Sequence, residues 1–137
     1  GIARAPFLAS HSNCNAVYRH PRSLTDRQID CIITRGGLIG INLYRAFLGR
    51  PGSAGFAAAH RHIRHVLERG GEHVLALGSD FDGCELEPCF AGVEKLEAFQ
   101  DYLLANGMPQ EQADALFYKN AEKFFQTLLQ PQTDMLK

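Results

Sequence analysis

Three short apolar segments, separated by amphipathic stretches, constrain the fold of this chain more than any other feature. They are Pro6–Ser10, Gly37–Leu43 (GLIGINL) and His73–Gly78 (HVLALG). Short apolar segments without a strict polar alternation are typical of parallel strands that are covered on both faces. The sequence therefore predicts three parallel strands.

Helical patterns lie between and after these segments. The first begins with a capping box at Thr25 and Gln28 and stops at the glycine pair Gly36 and Gly37. The further helices are expected at residues 57–69, at 93–106, in a short segment from Pro109, and at 120–129. Strands that alternate with helices predict an α/β fold with a parallel sheet. Neither an internal repeat nor a low-complexity linker divides residues 1–137, so we expect a single unit.

Composition excludes several classes of partner. The 137 residues are 45% hydrophobic and carry a formal net charge of −1. This near-neutral charge gives no reason to expect nucleic acid or an anionic membrane as a partner. No apolar stretch is long enough to span a bilayer, and no basic-then-apolar leader opens the sequence. We expect a cytoplasmic, bacterial protein.

The four cysteines are irregularly spaced, at positions 14, 31, 84 and 89. This spacing favours reduced thiols over a disulfide framework. Cys84 and Cys89 form a C-x4-C pair that could chelate a metal, but such a pair is weak evidence by itself. Surface thiols remain the simpler interpretation.

Polar side chains follow each predicted strand. His11 comes after the first strand, Asn42 and Tyr44 come at the end of the second, and Asp80 comes after the third. The carboxyl ends of parallel strands are where α/β folds build their sites. A neutral imidazole suits zinc, and a carboxylate can accept a proton from water or bind an ammonium group.

Arg22 lies in the loop after the first strand, where a guanidinium could bind a carboxylate with two hydrogen bonds. Simpler interpretations stay open for these residues. Arg22 could be a solvated loop residue, Asn42 could satisfy only backbone groups, and Asp82-Gly83 is a common turn.

Three stretches of the chain resemble the C-terminal part of the renal, or membrane, dipeptidase family, whose members are zinc dipeptidases of the amidohydrolase superfamily. These stretches are SHSNCNAVYRHPRSLTDRQ, RGGLIGINLY and LALGSDFDG. The family has an SHS histidine, an arginine a short loop later, a Gly-Gly strand that ends in asparagine, and a DFDG motif. The resemblance covers nearly the whole chain.

The resemblance implies a role for each matching residue. His11 corresponds to a histidine that binds one of two bridged zinc ions, and Arg22 to the arginine that binds the terminal carboxylate of a dipeptide. Asp80 corresponds to the carboxylate that faces the substrate amine and the attacking water. Asn42 and Tyr44 correspond to positions that line the substrate pocket.

The chain also departs from the family pattern. Ser23 stands where the family usually has asparagine, and Phe47 where some members have a pocket tyrosine. His62 and His65 resemble helix residues of the family, so we interpret them as structural. The family's N-terminal His-x-Asp pair, bridging glutamate and second histidine have no counterpart in this sequence.

The resemblance implies that the chain forms about strands six to eight of a (β/α)8 TIM-type barrel, with the N-terminal remainder of the barrel, or a second copy of the chain, as its partner. On this interpretation the complete protein hydrolyses dipeptides with two zinc ions, and the isolated chain is expected to bind zinc weakly and to be inactive. Two alternatives stay open: a non-catalytic α/β module, and a related hydrolase that acts on another amide or lactam.

Overall fold

The structure, a computed structural model, describes residues 8–9, 13–42, 55–78 and 93–128. Its described elements alternate between strands and helices. The strands are β1 (Leu8–Ala9), β2 (Leu38–Asn42) and β3 (Leu75–Gly78). The helices are α1 (Asp26–Thr34), α2 (Phe56–Glu68), α3 (Val93–Ala105), α4 (Gln110–Asp114) and α5 (Asn120–Leu128), and a π-helical turn, Ala115–Lys119, joins α4 to α5.

The three described strands form one parallel sheet in the order β1-β2-β3. Leu8 pairs with Leu38, Ile39 pairs with Leu75, and the ladder between β2 and β3 runs up to the last residue of each. The predicted mixed α/β fold with a parallel sheet is confirmed. β2 begins one residue later and β3 two residues later than the sequence pattern predicts.

The two faces of the sheet are covered by different parts of the chain. Ile39, Ile41 and Leu75 belong to the main core, where they are buried together with apolar side chains of α1, α2 and α3. On the opposite face, Leu38 and Ala76 are buried with Phe124 of α5. Because side chains alternate along a strand, a single run of apolar residues supplies both faces.

Helices α1, α2 and α3 end in the same way. After α1, the N–H of Gly36 donates to Ile33 O and the N–H of Gly37 donates to Ile32 O, at 3.2 and 2.9 Å. These two bonds make a Schellman motif, which requires a left-handed residue, and Gly36 has a φ of +67°. Gly70 and Gly107 repeat the motif, with φ values of +90° and +99°. The glycines therefore turn the chain sharply after each helix.

The start of α1 matches its sequence signal. The Gln28 N–H donates to Thr25 Oγ1 at 3.2 Å, and the Thr25 N–H donates to Gln28 Oε1 at 2.8 Å. These reciprocal bonds form the predicted capping box. They satisfy two backbone donors that a helix start otherwise leaves without a partner in the helix.

The last helical segment differs from the prediction. The sequence indicates one helix after Pro109 and a separate one from Asn120, but α4, the π-helical turn and α5 are consecutive. Asn120 has helical φ and ψ values of −64° and −44°. Its side chain donates from Nδ2 to Glu72 O and to Leu75 O, both at 2.8 Å. Asparagine is favoured there by its contact with the start of β3, which a local sequence pattern does not reveal.

Replacing Asn120 with leucine is expected to lower the free energy of unfolding by about 1–3 kcal/mol, because the carbonyl groups of Glu72 and Leu75 lose a donor in a largely buried place. Urea denaturation of the complete gene product that contains this sequence would measure the loss. Asn106→Leu is the control, since Asn106 Nδ2 also donates to a carbonyl, that of Tyr102, but at an exposed helix end. Its effect should stay within about 0.5 kcal/mol. Equal losses in the two variants would contradict the assigned role.

Candidate functional site

The carboxyl ends of the strands meet at one edge of the sheet because all three strands are parallel. Asn42, the last residue of β2, pairs with Gly78, the last residue of β3. Along the sequence, His11 follows β1 by two residues and Asp80 follows β3 by two residues. His11, Tyr44 and Asp80 themselves lie outside the described residues, as does the side chain of Asn42.

Arg22 is the predicted site residue whose surroundings are described. It is exposed and lies in the segment Asn13–Leu24, which we call the Arg22 loop. This loop connects β1 to α1, and a connection of that kind lies at the carboxyl edge of a parallel sheet. The structure therefore places Arg22 on the side of the sheet where the sequence predicts a site.

The Arg22 loop is closed by its own backbone. Its two ends form an isolated parallel bridge between Cys14 and Leu24. The Asn15 N–H donates to Leu24 O at 2.8 Å, and the Leu24 N–H donates to Asn13 O at 2.7 Å. Two short hydrogen bonds thus join the entry and the exit of the loop, and Arg22 lies two residues before the point of closure.

Side chains organise the interior of the loop. The His20 N–H donates to Asn15 Oδ1 at 3.1 Å, and the Arg22 N–H donates to His20 Nδ1, also at 3.1 Å. The Ser23 N–H donates to His20 O at 3.0 Å. His20 therefore shapes the backbone on which Arg22 stands. Sequence analysis did not single out Asn15 or His20. The sequence signal that could have identified them is a polar loop that contains a proline. In such a loop, Asn and His side chains can accept hydrogen bonds from backbone N–H groups that have no partner in a helix or a strand.

The base of the loop contacts helix α2. The Cys14 N–H donates to Nδ1 of His62 at 3.0 Å, and Cys14 Sγ lies 3.5 Å from the carbonyl oxygen of His62. Both residues are buried, His62 completely. His62 contacts the base of the loop and His65 contacts Asp26 of α1, which agrees with a structural interpretation of each. The sequence did not predict that His62 contacts the base of the Arg22 loop.

A cluster of polar and ionisable side chains joins α1 to α2 on the outside of the protein. His65 Nε2 lies 2.6 Å from Asp26 Oδ1, and the Arg69 guanidinium binds both carboxylate oxygens of Asp30, at 2.7 and 2.6 Å. The hydrogen bonds from Arg69 hold the pKa of the Asp30 carboxyl below its ordinary value of 3.8. The Arg22 loop leads directly into α1. By holding α1 against α2, this cluster therefore also stabilises the C-terminal end of the loop.

The described cysteines are not arranged for metal binding. Burial raises the pKa of the Cys14 thiol to about 12, and the nearby Asp26 charge adds to this effect. A thiol of that kind stays protonated, whereas a metal ligand must be a thiolate. Within residues 8–9, 13–42, 55–78 and 93–128, no three His, Cys, Asp or Glu side chains form a group that could hold a metal ion. Cys84 and Cys89 lie outside these ranges.

The family model for membrane dipeptidases, peptidase family M19, matches residues 1–135. The chain belongs to this family. The expected resemblance to the membrane dipeptidases is thereby confirmed, and it extends over almost all of the sequence.

A curated protein is also similar to this chain over most of its length. The uncharacterized protein in the pqqA 5' region of Klebsiella pneumoniae is 37% identical over 122 residues, which are 86% of this chain and 45% of that protein. The chain thus spans about half the length of this relative.

Two solved structures are similar to this chain. The metallopeptidase called dipeptidase AC, of family M19, is 34% identical with a TM-score of 0.84 over 90% of this chain and 38% of its own. A metallopeptidase from Rhodobacter sphaeroides, liganded with a phosphinate mimic of the dipeptide L-Ala-D-Ala, is also 34% identical. Its TM-score is 0.83 over 89% of this chain and 36% of its own.

In the part of the chain that the structure describes, no helix has the length and apolarity to cross a membrane.

The burial of Cys14 predicts a difference in thiol reactivity. At pH 8, a thiol with a pKa of about 12 is ionised to roughly one part in 10⁴, so Cys14 should resist iodoacetamide while the exposed Cys31 is alkylated. Peptide mass spectrometry of the complete gene product after a short exposure would measure both sites. In urea, Cys14 should react as Cys31 does. Rapid labelling of native Cys14 would contradict the buried contact with His62.

The cluster between α1 and α2 predicts a pH effect. Arg69→Gln should raise the pKa of Asp30 back toward its ordinary value, because the guanidinium stabilises the ionised carboxylate. Since the folded-state pKa is lowered, the stabilisation is present above pH 3.8 and is lost as the pH falls through the lowered value. Carbon-detected NMR titration of the Asp30 carboxyl would follow the change. Arg64→Gln, which removes an exposed partner of Glu68 in the same helix, should leave Asp30 unchanged.

Proposed function

We propose that this chain is one part of a metallodipeptidase that hydrolyses dipeptides, and that residues 1–137 form a single unit of a (β/α)8 barrel. The observation that carries the proposal is the combination of the family match with similarity, at 34% identity and a TM-score of 0.83, to a metallopeptidase that binds a dipeptide mimic. The phosphorus of a phosphinate is tetrahedral, as the peptide carbonyl carbon becomes once water has added to it. The catalytic edge in this proposal is the carboxyl edge of the β1-β2-β3 sheet.

The open edges of the sheet support the barrel. Among the described strands, β1 and β3 each have one strand neighbour, and β2 has two. A strand with an unpaired edge presents rows of backbone donors and acceptors that need partners. We propose that the remaining strands of the barrel, or a second copy of this chain, pair there.

His11 is the residue of this chain that we propose as a zinc ligand. The donor set fits in part: a neutral imidazole is a common zinc ligand, and His11 follows β1 at the carboxyl edge. A catalytic zinc takes about three protein ligands, so the others would come from the remainder of the barrel. Polarisation of the peptide carbonyl and activation of water are the chemistry that two zinc ions supply when bound.

The other proposed site residues act on the substrate directly. Arg22 would bind the terminal carboxylate of the dipeptide with two parallel N–H···O bonds, a geometry that suits a guanidinium. Asp80 follows β3 by two residues along the sequence, on the side where we propose the site. Its carboxylate would accept the proton of the attacking water and pass it to the leaving amine. Asn42 and Tyr44, from the end of β2, would line the pocket between them.

Hydrolysis of a panel of dipeptides by the zinc-loaded complete gene product tests the proposal. Asp80→Asn should lower kcat by about 10²–10⁴, because an amide cannot accept the proton. Asp101→Asn is the matched control: it removes the same charge from an exposed position in α3 and should leave kcat unchanged. Bound zinc should fall in His11→Ala.

Two results would overturn the proposal. The first is a zinc-loaded gene product that hydrolyses no dipeptide while His11→Ala leaves its metal content unchanged. The second is a kcat for Asp80→Asn equal to that of Asp101→Asn. Activity on lactams or other amides, with dipeptides untouched, would instead favour the related-hydrolase alternative.

A further inference from the structure

We propose that His62 is a positioning residue for substrate binding: it holds the base of the Arg22 loop and thereby places the Arg22 guanidinium for the substrate carboxylate. This inference rests on the proposed dipeptidase function. It concerns a side chain that lies on helix α2 and that the proposed chemistry does not use.

The contact between His62 and the loop is made at two points. The Nδ1 atom of His62 accepts the backbone N–H of Cys14 at 3.0 Å, and the carbonyl oxygen of His62 lies 3.5 Å from the Cys14 sulfur. Cys14 is 1% exposed and His62 is 0% exposed. A buried backbone N–H needs an acceptor, and here a side chain from another element supplies it.

The position of His62 on α2 is one where an apolar residue would be expected. The buried residues of this helix are Ala58, Ala59, His62, Ile63 and Val66. They form one stripe that faces the core, and the imidazole is its one polar member. Placing a polar ring in such a stripe is unfavourable unless it forms hydrogen bonds. The bond to Cys14 gives the Nδ1 atom of the imidazole a hydrogen-bond partner within this stripe.

The path from His62 to Arg22 is short and continuous. Cys14 is bridged to Leu24, and Arg22 lies two residues before Leu24. The Arg22 N–H is in turn held by His20, whose own N–H is held by Asn15, the neighbour of Cys14. A displacement of Cys14 would therefore move both the closing bridge and the His20 contact. Each of these supports the backbone of Arg22.

The proposed effect is specific to carboxylate binding. A bidentate bond between arginine and a carboxylate depends on the position and orientation of both groups. The carboxylate of a dipeptide is bound in the ground state and in the transition state alike. Loss of such uniform binding raises KM and leaves kcat nearly unchanged. His62 variants should show this separation, which a general loss of folding would not produce.

The experiment compares His62→Leu with His62→Asn in the zinc-loaded complete gene product. Leucine removes the acceptor, and KM for a dipeptide should rise about 10-fold to 100-fold with kcat within a few-fold of wild type. Asparagine offers an oxygen near the place of Nδ1, and it should restore most of the lost affinity. Zinc content should be the same in all variants.

A dipeptide amide, which lacks the carboxylate, tests whether the effect passes through Arg22. The wild-type preference in kcat/KM for the dipeptide over its amide should collapse in Arg22→Met and in His62→Leu. The double variant should show no further loss, because both changes remove the same interaction. Ile63→Ala is the matched control: it disturbs the same buried stripe but leaves the His62 acceptor of the Cys14 N–H in place, and it should keep the wild-type preference.

A second variant of His62 can replace His62→Leu in the experiment if that variant does not fold. If His62→Leu does not fold, His62→Gln retains a polar side chain but carries its acceptor one methylene further out, and it should raise KM in the same way. The inference is overturned if the preference for the dipeptide survives in a folded His62 variant, or if the losses from Arg22→Met and His62→Leu add. A wild-type protein inert toward dipeptides would overturn the proposed function itself, and this inference with it.

Discussion

The parallel pairing of β2 with β1 and β3 is the constraint on which the rest of the described structure depends. Parallel neighbours cannot be joined by a tight turn, so the chain crosses back over the sheet between strands, and α1 and α2 form in those crossings. The same constraint brings the ends of the strands to one edge, with Asn42 beside Gly78. The topology of the sheet alone therefore brings residues that are far apart in the sequence close together at this edge.

Local signals in the sequence predicted much of this architecture. The capping box at Thr25, the glycine stops and the apolar strands are determined by neighbouring residues, and each prediction agrees with the structure to within one or two residues where the residues are described. The continuous run through α4, the π-helical turn and α5 was missed. α5 begins at Asn120 as predicted, but it follows the π-helical turn without a break, and the Asn120 side chain donates to two carbonyl groups 48 and 45 residues earlier in the chain.

The candidate site was predictable in a different sense. The residue types at the strand ends indicated zinc hydrolase chemistry only together with the family resemblance, and the positions of His11, Tyr44 and Asp80 stay predictions. The construction of the Arg22 loop was beyond sequence reasoning, because its bonds join a cysteine N–H to a histidine on another helix. The family resemblance indicates that His62 is a structural residue of a helix. That interpretation agrees with the contact between His62 and Cys14, but it does not predict which segment of the chain His62 contacts.

Two buried polar side chains, His62 and Asn120, bind the backbone at opposite edges of the sheet. Asn13, His62 and Asn120 are the buried polar residues of the described ranges. Asn120 holds the backbone that enters β3, at the amino edge, where contacts in this type of fold serve stability. His62 holds the backbone that has left β1, at the carboxyl edge, where loops carry function. A hydrogen bond of the same kind therefore has different expected consequences: loosening the first should lower stability, whereas loosening the second should, on our proposal, displace the Arg22 loop in a sheet that is otherwise intact.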